Sequence, residues 1–353
     1  MNILILGGTG AMGTHLVNLL GGVNCTVTTR SKREDKEGVK YAIGNAHDLS
    51  FLQPLLNQCK WDTIVDFMLY TTEEFKLRYD LYLKSTAQYV FLSSSRVYAE
   101  SKTPITEESP RLLDVCTDEA YIATDEYAIA KARQEDILKK SERRNWTVIR
   151  PYVTFSEIRL QLSPLEKEYW LYRALRGRTI VFSKDIAEKV TTITYGYDVA
   201  RGIAAIIGEK SSYGEFFTIV TNESHKWTEI FDLYLDVIEK ETGIKPKVLL
   251  TERWIPDIGG GISQVKYDRL YDRTFNNSKI GKYIDTATFE KTIPALEKCL
   301  HDFLSNPHFR SIDWVSEAMK DRMTGDWSHF GEIIGVKQKL KYYIVRLGLY
   351  SRK

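Results

Sequence analysis

Four cysteines, Cys25, Cys59, Cys116 and Cys299, are scattered through 353 residues, and no two form a CxxC pair. That spacing excludes a disulfide framework, and the thiols read as reduced and structural, as in a cytoplasmic protein. There is no HExxH and no cluster of His and Cys, so no metal is expected. The formal net charge is only +2, so no general affinity for nucleic acid is expected. The apolar N-terminus is too short to span a membrane and lacks a basic leader and a cleavage site. It reads as a first strand, not a signal peptide. Internal repeats and low-complexity linkers are missing too. What the chain does have is a hydrophobic content of 43% and an aromatic content of 12%, ample for a core. Its length suits two domains, or one large α/β domain with a smaller lobe.

The segment "NILILGGTGAMGTHLV" starts with a continuous apolar run, Ile3 to Leu6, as expected of a strand buried on both faces of a parallel sheet. Its glycines satisfy Gly8-x-Gly10-x-x-Gly13 and Gly7-x-x-Gly10-x-x-Gly13 together. Glycine permits a tight turn and close approach of a phosphate to the backbone, and the last one lets a helix lie close on the strand. Following a strand and preceding Thr14-His15-Leu16-Val17, the triplet has the context of a dinucleotide site rather than of an ordinary turn.

Further strands follow in βα rhythm: "CTVTTR" (Cys25 to Arg30), "VKYAIGNAHDL", "WDTIVDFMLY", "YVFLSSSRVYA" and "WTVIRPYV". Helical stretches such as Phe51 to Cys59 and Glu73 to Thr86 lie between them. The alternation predicts an α/β Rossmann fold, a doubly wound parallel sheet. The second strand ends Thr28-Thr29-Arg30-Ser31-Lys32-Arg33, with no acid until Glu34. A carboxylate at this place accepts the ribose hydroxyls of NAD and repels a 2′-phosphate. With cations there instead, Arg30 and a neighbouring Lys32 or Arg33 suit a phosphate. NADP(H) is therefore favoured over NAD(H), a solvated basic loop being the alternative.

At the fifth strand the motifs converge. GGTGAMG, Asp48 after strand three, "SSSRVYA" and "YAIAK" together resemble the extended short-chain dehydrogenase/reductases, the nucleotide-sugar epimerase/dehydratase group. The likeness covers about the first 300 residues. "TTITYGYDVARGIAAII", with Asp198, and "FFTIVTNESHKWTEIFDLYLDVIEKETG" look like the family's later strand–helix pairs. "DRTFNNSKIGKY" is similar to a segment of a bacterial branch that also resembles chloroplast stem-loop RNA-binding proteins. The resemblance implies a smaller C-terminal substrate-binding lobe and a catalytic set of Ser94, Tyr127 and Lys131. The cofactor positions it implies are Gly7, Thr9, Gly10, Ala11, Met12, Gly13, Arg30, Ser31, Asp48, Leu49, Phe67, Met68, Tyr127, Lys131, Pro151 and Val153. As partners it implies a nucleotide-sugar substrate, and it admits a homodimer.

The residue types themselves describe the chemistry. Tyr127 and Lys131 lie four apart, so a helix projects both from one face. An ammonium nearby stabilises tyrosinate and brings the phenol from about 10 toward working pH. Tyr127 then takes a proton from a substrate hydroxyl as hydride leaves the same carbon, or runs the reverse step. A hydroxyl on strand five would hold the substrate oxygen, and the resemblance places it at Ser94, with Ser93 and Ser95 one register away. In the family's 4,6-dehydratases the next two positions are Asp and Glu, whereas here they are Ser95 and Arg96. Dehydration is thus disfavoured, and an epimerase or a ketoreductase is left.

The expected boundaries are 1–155 for the Rossmann domain, completed by about 190–220, then 156–189 with 221–310 for the substrate lobe, and 311–353 as a basic extension. In the lobe, "EYWLYRALRGRTIVF" reads as an aromatic helix and a strand whose Arg173, Arg176 and Arg178 are candidates for a diphosphate. Arg269 and Arg273 are further candidates, and Arg96 near the site suits an anionic substrate. "KQKLKYYIVRLGLYSRK" (Lys337 to Lys353) carries six Lys/Arg and no acid. It reads either as an amphipathic segment for an anionic membrane surface or as one packed on the domain through Tyr342, Ile344, Val345 and Leu347. Three function classes stay open: an enzyme on a nucleotide-activated sugar, a reductase of a smaller carbonyl compound, and a non-catalytic Rossmann-type nucleotide- or RNA-binding protein.

Overall fold

Residues 1–21 and 23–349 are described by a computed structural model. Two compact units make up the chain: residues 1–156, 192–223 and 274–292 form the first, and 157–191, 224–273 and 293–353 the second. Unlike the boundaries expected from sequence, residues 274–292 return to the first unit.

The first unit is built on β1 (Asn2–Leu6), β2 (Asn24–Thr29), β3 (Val39–Ile43), β4 (Trp61–Asp66), β5 (Thr86–Leu92), β6 (Trp146–Pro151) and β7 (Glu215–Ile219). They form one sheet in the order β7-β6-β5-β4-β1-β2-β3, and every neighbouring pair is parallel. Register is set by the period of two in β1. Ile3 and Ile5 face a core with Val27, Val65 and Val90, closed by Leu16 of α1 (Gly13–Leu19) and Val199 and Ile203 of α4 (Gly196–Ile206). Leu4 and Leu6 face the opposite core. It holds Ile64, Tyr89 and Phe91, closed by Leu52 of α2 (Leu49–Leu56) and Leu138 of α3 (Tyr127–Lys140). A strand with both faces buried needs apolar residues throughout, hence the unbroken run in the sequence.

Local departures have local causes. The stretch Glu73 to Thr86, expected as one helix, is two: Thr72–Lys76, opened by a Thr71/Glu74 capping box, and Tyr79–Ser85. Between them the buried Arg78 turns inward, donating to Glu74 O at 2.6 Å and His47 O at 3.0 Å. The helix expected from Phe51 begins earlier, at Leu49, because Asp48 Oδ1 accepts the Ser50 N–H and caps it.

In the second unit, the expected aromatic helix is a single turn, Leu171–Ala174, ended by Gly177 at φ +66°. The strand Ile180–Ser183 then pairs in parallel with Val248–Thr251. Helix α5 (Trp227–Thr242) is stopped by Gly243 in the left-handed region. Helices α6 (Trp314–Thr324) and α7 (Val336–Arg346) share a core of Tyr172, Trp314, Ala318, Met319, Ile333, Tyr342 and Val345. The stretch read from sequence as an extension therefore contributes one face of each of these helices to this unit's core. Tyr342 and Val345 are buried, Ile344 is half-buried and Leu347 is exposed. Residues 350–353 of the basic terminus lie outside the described residues.

Candidate active site

All strands of the sheet point the same way, so their carboxyl ends share one edge. The order runs outward from β1 to β3 on one side and from β4 to β7 on the other. The crevice between β1 and β4 is thus the switch point at which open α/β sheets bind ligands. The segments after β1, β2, β3, β4 and β5 carry Gly7–Gly13, Arg30–Ser31, Asp48–Leu49, Phe67–Met68 and Ser94, and β6 ends at Pro151 with Val153 just beyond it. The topology brings these expected positions to one edge of the sheet.

The glycines have separate duties. Gly7 takes φ +70° and donates its N–H to Thr28 Oγ1 at 2.9 Å. A Cβ on Gly8 would lie 2.6 Å from Ile5 Cγ2, and one on Gly13 would lie 2.6 Å from the Gly8 backbone. Both are demanded by the turn's own packing. A Cβ on Gly10 would meet nothing within 4 Å. Its surroundings are open, as suits a position over which a ligand's phosphates approach the backbone. Thr9, Ala11 and Met12 are half-buried around it, and Arg30 and Ser31 are exposed. Asp48 is exposed, and hydrogen bonds from Ser50 hold its carboxyl below the ordinary carboxylate value. Leu49, Phe67 and Met68 are half-buried, whereas Pro151 and Val153 are buried.

The serines after β5 divide by partner. Ser93 Oγ donates to Glu135 Oε1 at 2.6 Å, and Ser95 Oγ donates to Arg150 O at 2.8 Å. Ser94 Oγ only accepts, from the Arg96 N–H at 3.2 Å, and among the described residues nothing takes its proton. Tyr127 opens α3 and is half-buried, with the Arg96 guanidinium 5.1 Å from its ring centre. Arg96, expected to meet an anionic substrate, is paired with Glu126 Oε1 at 2.7 Å.

One turn on from Tyr127, Lys131 is buried and donates from Nζ to Leu92 O at 2.7 Å and to Met68 O at 3.4 Å. Burial pushes it down to about 8, against the opposing pull of Asp66 and Glu135. Sequence reading missed both carboxylates. Asp66 ends β4 fully buried, accepting from Tyr89 OH at 2.7 Å, the Met68 N–H at 2.9 Å and Tyr70 OH at 3.4 Å. Glu135 continues the series Tyr127, Lys131, Glu135 on one helix face. That spacing was the available signal.

Asp66→Asn removes the largest influence that favours the charged form of Lys131. The alkaline limb of kcat/KM is therefore expected to move to lower pH, as the ammonium is lost at lower pH in the variant. A profile unchanged from native would show that Lys131 does not feel Asp66.

The arginines expected to meet a diphosphate are all ion-paired within the second unit. Arg178 donates to Ser328 Oγ and, at 2.9 Å, to Glu332 Oε2. Arg273, fully buried, donates to Asp268 Oδ1 at 3.0 Å and Tyr267 O at 3.3 Å. Arg173 is held by Glu317 at 2.9 Å and Asp321 at 2.8 Å, Arg176 by Glu332 at 3.0 Å, and Arg269 by Asp268. The physical reason for Arg173, Arg178, Arg269 and Arg273 is that a buried guanidinium requires carboxylate partners, and each has found them within its unit; Arg176 is exposed and its pair lies at the surface.

A seven-stranded parallel sheet with a glycine turn after β1 and a Tyr-x-x-x-Lys helix beside the end of β5 defines an enzyme of the short-chain dehydrogenase/reductase type. The chain belongs to the NAD dependent epimerase/dehydratase family, whose pattern matches residues 3–219. Among solved structures it is similar to an epimerase of Methanothermobacter thermautotrophicus, at 17% identity and TM-score 0.67, over 86% of this chain and 92% of that one. UDP-glucose 4-epimerase from Bifidobacterium longum, solved with NAD+ and UDP, matches at 19% identity and TM-score 0.65, over 87% and 99%. UDP-glucuronic acid 4-epimerase from Bacillus cereus, solved with UDP-glucuronic acid and NAD, matches at 14% identity and TM-score 0.62, over 86% and 99%. At these identities the likeness is one of fold. No curated protein matches the chain.

Proposed function

We propose that the chain is an epimerase or ketoreductase that acts by hydride transfer on a nucleotide-activated sugar, with NADP(H) as the favoured cofactor. The observation that carries the reading is the division of the three serines. Two are held by Glu135 and the Arg150 carbonyl, and the third, Ser94, keeps a donor proton in the segment that follows β5. Tyr127 is the acid/base, and Ser94 orients the substrate oxygen that Tyr127 deprotonates or protonates. Lys131, cationic below about 8, stabilises the tyrosinate. Its bonds to Leu92 O and Met68 O fix the ammonium at the ends of β5 and β4.

The residues present fit a nicotinamide dinucleotide. Gly7, Thr9, Gly10, Ala11, Met12 and Gly13 would hold its diphosphate, Arg30 and Ser31 a ribose phosphate, and Asp48 and Leu49 its adenine side. Phe67, Met68, Pro151 and Val153 would line its remaining length. When bound, the cofactor supplies the hydride acceptor or donor. Elimination is disfavoured because Ser95 donates to a backbone carbonyl and Arg96 is an ion-paired cation. Support for the substrate class comes from structural neighbours crystallised with UDP and UDP-glucuronic acid.

Fluorescence titration tests the cofactor choice, and thermal midpoints test the substrate class. NADPH is expected to bind more tightly than NADH, and Arg30→Ala to abolish that difference. With cofactor bound, a nucleoside diphosphate sugar is expected to raise the thermal midpoint where the free sugar does not. Equal affinity for the two dinucleotides overturns the cofactor choice, and no response to UDP-, dTDP- or GDP-sugars overturns the substrate class.

A further inference from the structure

Helix α7 has two faces with different fates. Tyr342 and Val345 dock it in the second unit, 0% and 3% exposed, and Tyr342 OH donates to Asp321 Oδ2 at 2.6 Å. On the opposite side, Val336 (82% exposed), Leu340 (59%) and Leu347 (60%) fall on one stripe by the 3.6-residue period, with half-buried Tyr343 on the same line. Ile334 (86%) and Leu349 (75%) extend the apolar surface beyond the helix ends, and Phe330 lies 6.3 Å from the Tyr343 ring. The same period places the exposed Lys337 and Lys341 along one border of the stripe and the half-buried Lys339 and Arg346 along the other, where Arg346 donates from Nε to Asp326 O at 3.0 Å. No acid occurs from 336 to 349. The acids around the helix are matched: Glu332 by Arg176 at 3.0 Å and Arg178 at 2.9 Å, and Asp321, on the docked side, by Arg173 at 2.8 Å.

We propose that this stripe seats the protein on an anionic lipid surface. Its aliphatic side chains enter the boundary between headgroups and acyl chains, and the lysines on its two borders, Lys337, Lys341 and Lys339, meet lipid phosphates. An apolar strip bordered by cations on both sides is the pattern of helices that lie in the interface plane. Among the described residues no helix is long and apolar enough to cross a membrane, so the attachment is peripheral. The charges decide against other occupants. Cores of protein interfaces are depleted in lysine, whereas here the stripe is hemmed by it. A second copy meeting the same face about a two-fold axis would set like charges against each other. The inference is independent of the proposed reaction.

Flotation of the full chain with phosphatidylcholine vesicles, with and without phosphatidylglycerol, tests it. Association is expected only with the anionic vesicles and is expected to weaken as salt rises. Each cation near such a surface contributes about fivefold to binding, so Lys337→Gln with Lys341→Gln is expected to weaken it by about 25-fold. Val336→Glu with Leu340→Glu is expected to abolish it with the thermal midpoint unchanged, since both side chains are exposed. If the acidic pair disturbs folding, the glutamine pair still decides. Failure to float, equal binding to neutral vesicles, or binding indifferent to both variants overturns the proposal. So does a concentration-dependent dimer that Leu340→Glu disperses without any vesicle binding.

Discussion

Tyr127→Phe is expected to lower kcat by about 10²–10⁴-fold or more while leaving cofactor affinity and thermal midpoint close to native. The substitution deletes one oxygen. Among the described residues that oxygen has no hydrogen-bond partner, and the ring keeps its place at the start of α3 beside Arg96. If Tyr127 has the proposed role in proton transfer alone, its loss falls on kcat, and KM should change little. Steady-state rates with the preferred cofactor, alongside a binding titration, give the comparison. Native turnover in the variant would show that another residue carries the proton, and Ser94, with its uncommitted hydroxyl, would be the next to examine.

Glu135→Ala is expected to have the largest effect on stability, about 3–5 kcal/mol, because removing one side of a buried ion pair leaves the other charge uncompensated. Glu135 is fully buried. It accepts from Arg150 Nε at 2.8 Å, Arg150 Nη2 at 2.7 Å, Arg111 Nη1 at 3.2 Å and Ser93 Oγ at 2.6 Å. Burial works against its ionisation, but Arg150, Ser93 and Arg111 outweigh burial and hold the carboxyl below its ordinary value. A carboxyl whose value is depressed on folding contributes stability above its unfolded value of about 4.3 and loses it as pH falls below that. The native chain should therefore show an acid-side loss of stability that is shallower in the variant. For a unit of this size the thermal midpoint should drop on the order of 10 °C at neutral pH. Glu135→Leu combined with Arg150→Met should recover part of the loss, since no uncompensated charge from the pair then stays buried. A single variant with a native midpoint would mean that the pair contributes nothing net. Because Ser93 donates to Glu135, the same variant also tests whether the serine segment after β5 depends on this carboxylate for its geometry.

The features that the sequence alone revealed are those written in local spacing. The strand–glycine–helix segment from Ile3 to Val17 encodes its own turn: Gly8 and Gly13 are required by contacts within that segment. Tyr127 and Lys131 share a face by helix geometry. The parallel order of the strands follows from the βα alternation, because a helical crossover returns the chain to start each strand at the same end of the sheet. Asp48 was assigned to the cofactor on its position, and its capping of α2 follows from its place before a helix.

What only the tertiary structure decided depends on partners distant in the chain. Three adjacent serines are indistinguishable by type. Ser93 and Ser95 are assigned by Glu135 and the Arg150 carbonyl, 42 and 55 residues away. The arginines of the second unit look free in sequence because their carboxylates are remote. Arg178 meets Glu332 across 154 residues, and Arg173 meets Asp321 across 148. The basic C-terminal segment has one composition and two faces, and the choice of which face docks rests on Asp321 and the Tyr172 cluster. In each case the reason is the same. Periodicity determines which side chains share a face, but a buried charge or hydroxyl takes whatever partner the fold brings within about 3 Å, and that partner need not lie nearby in sequence.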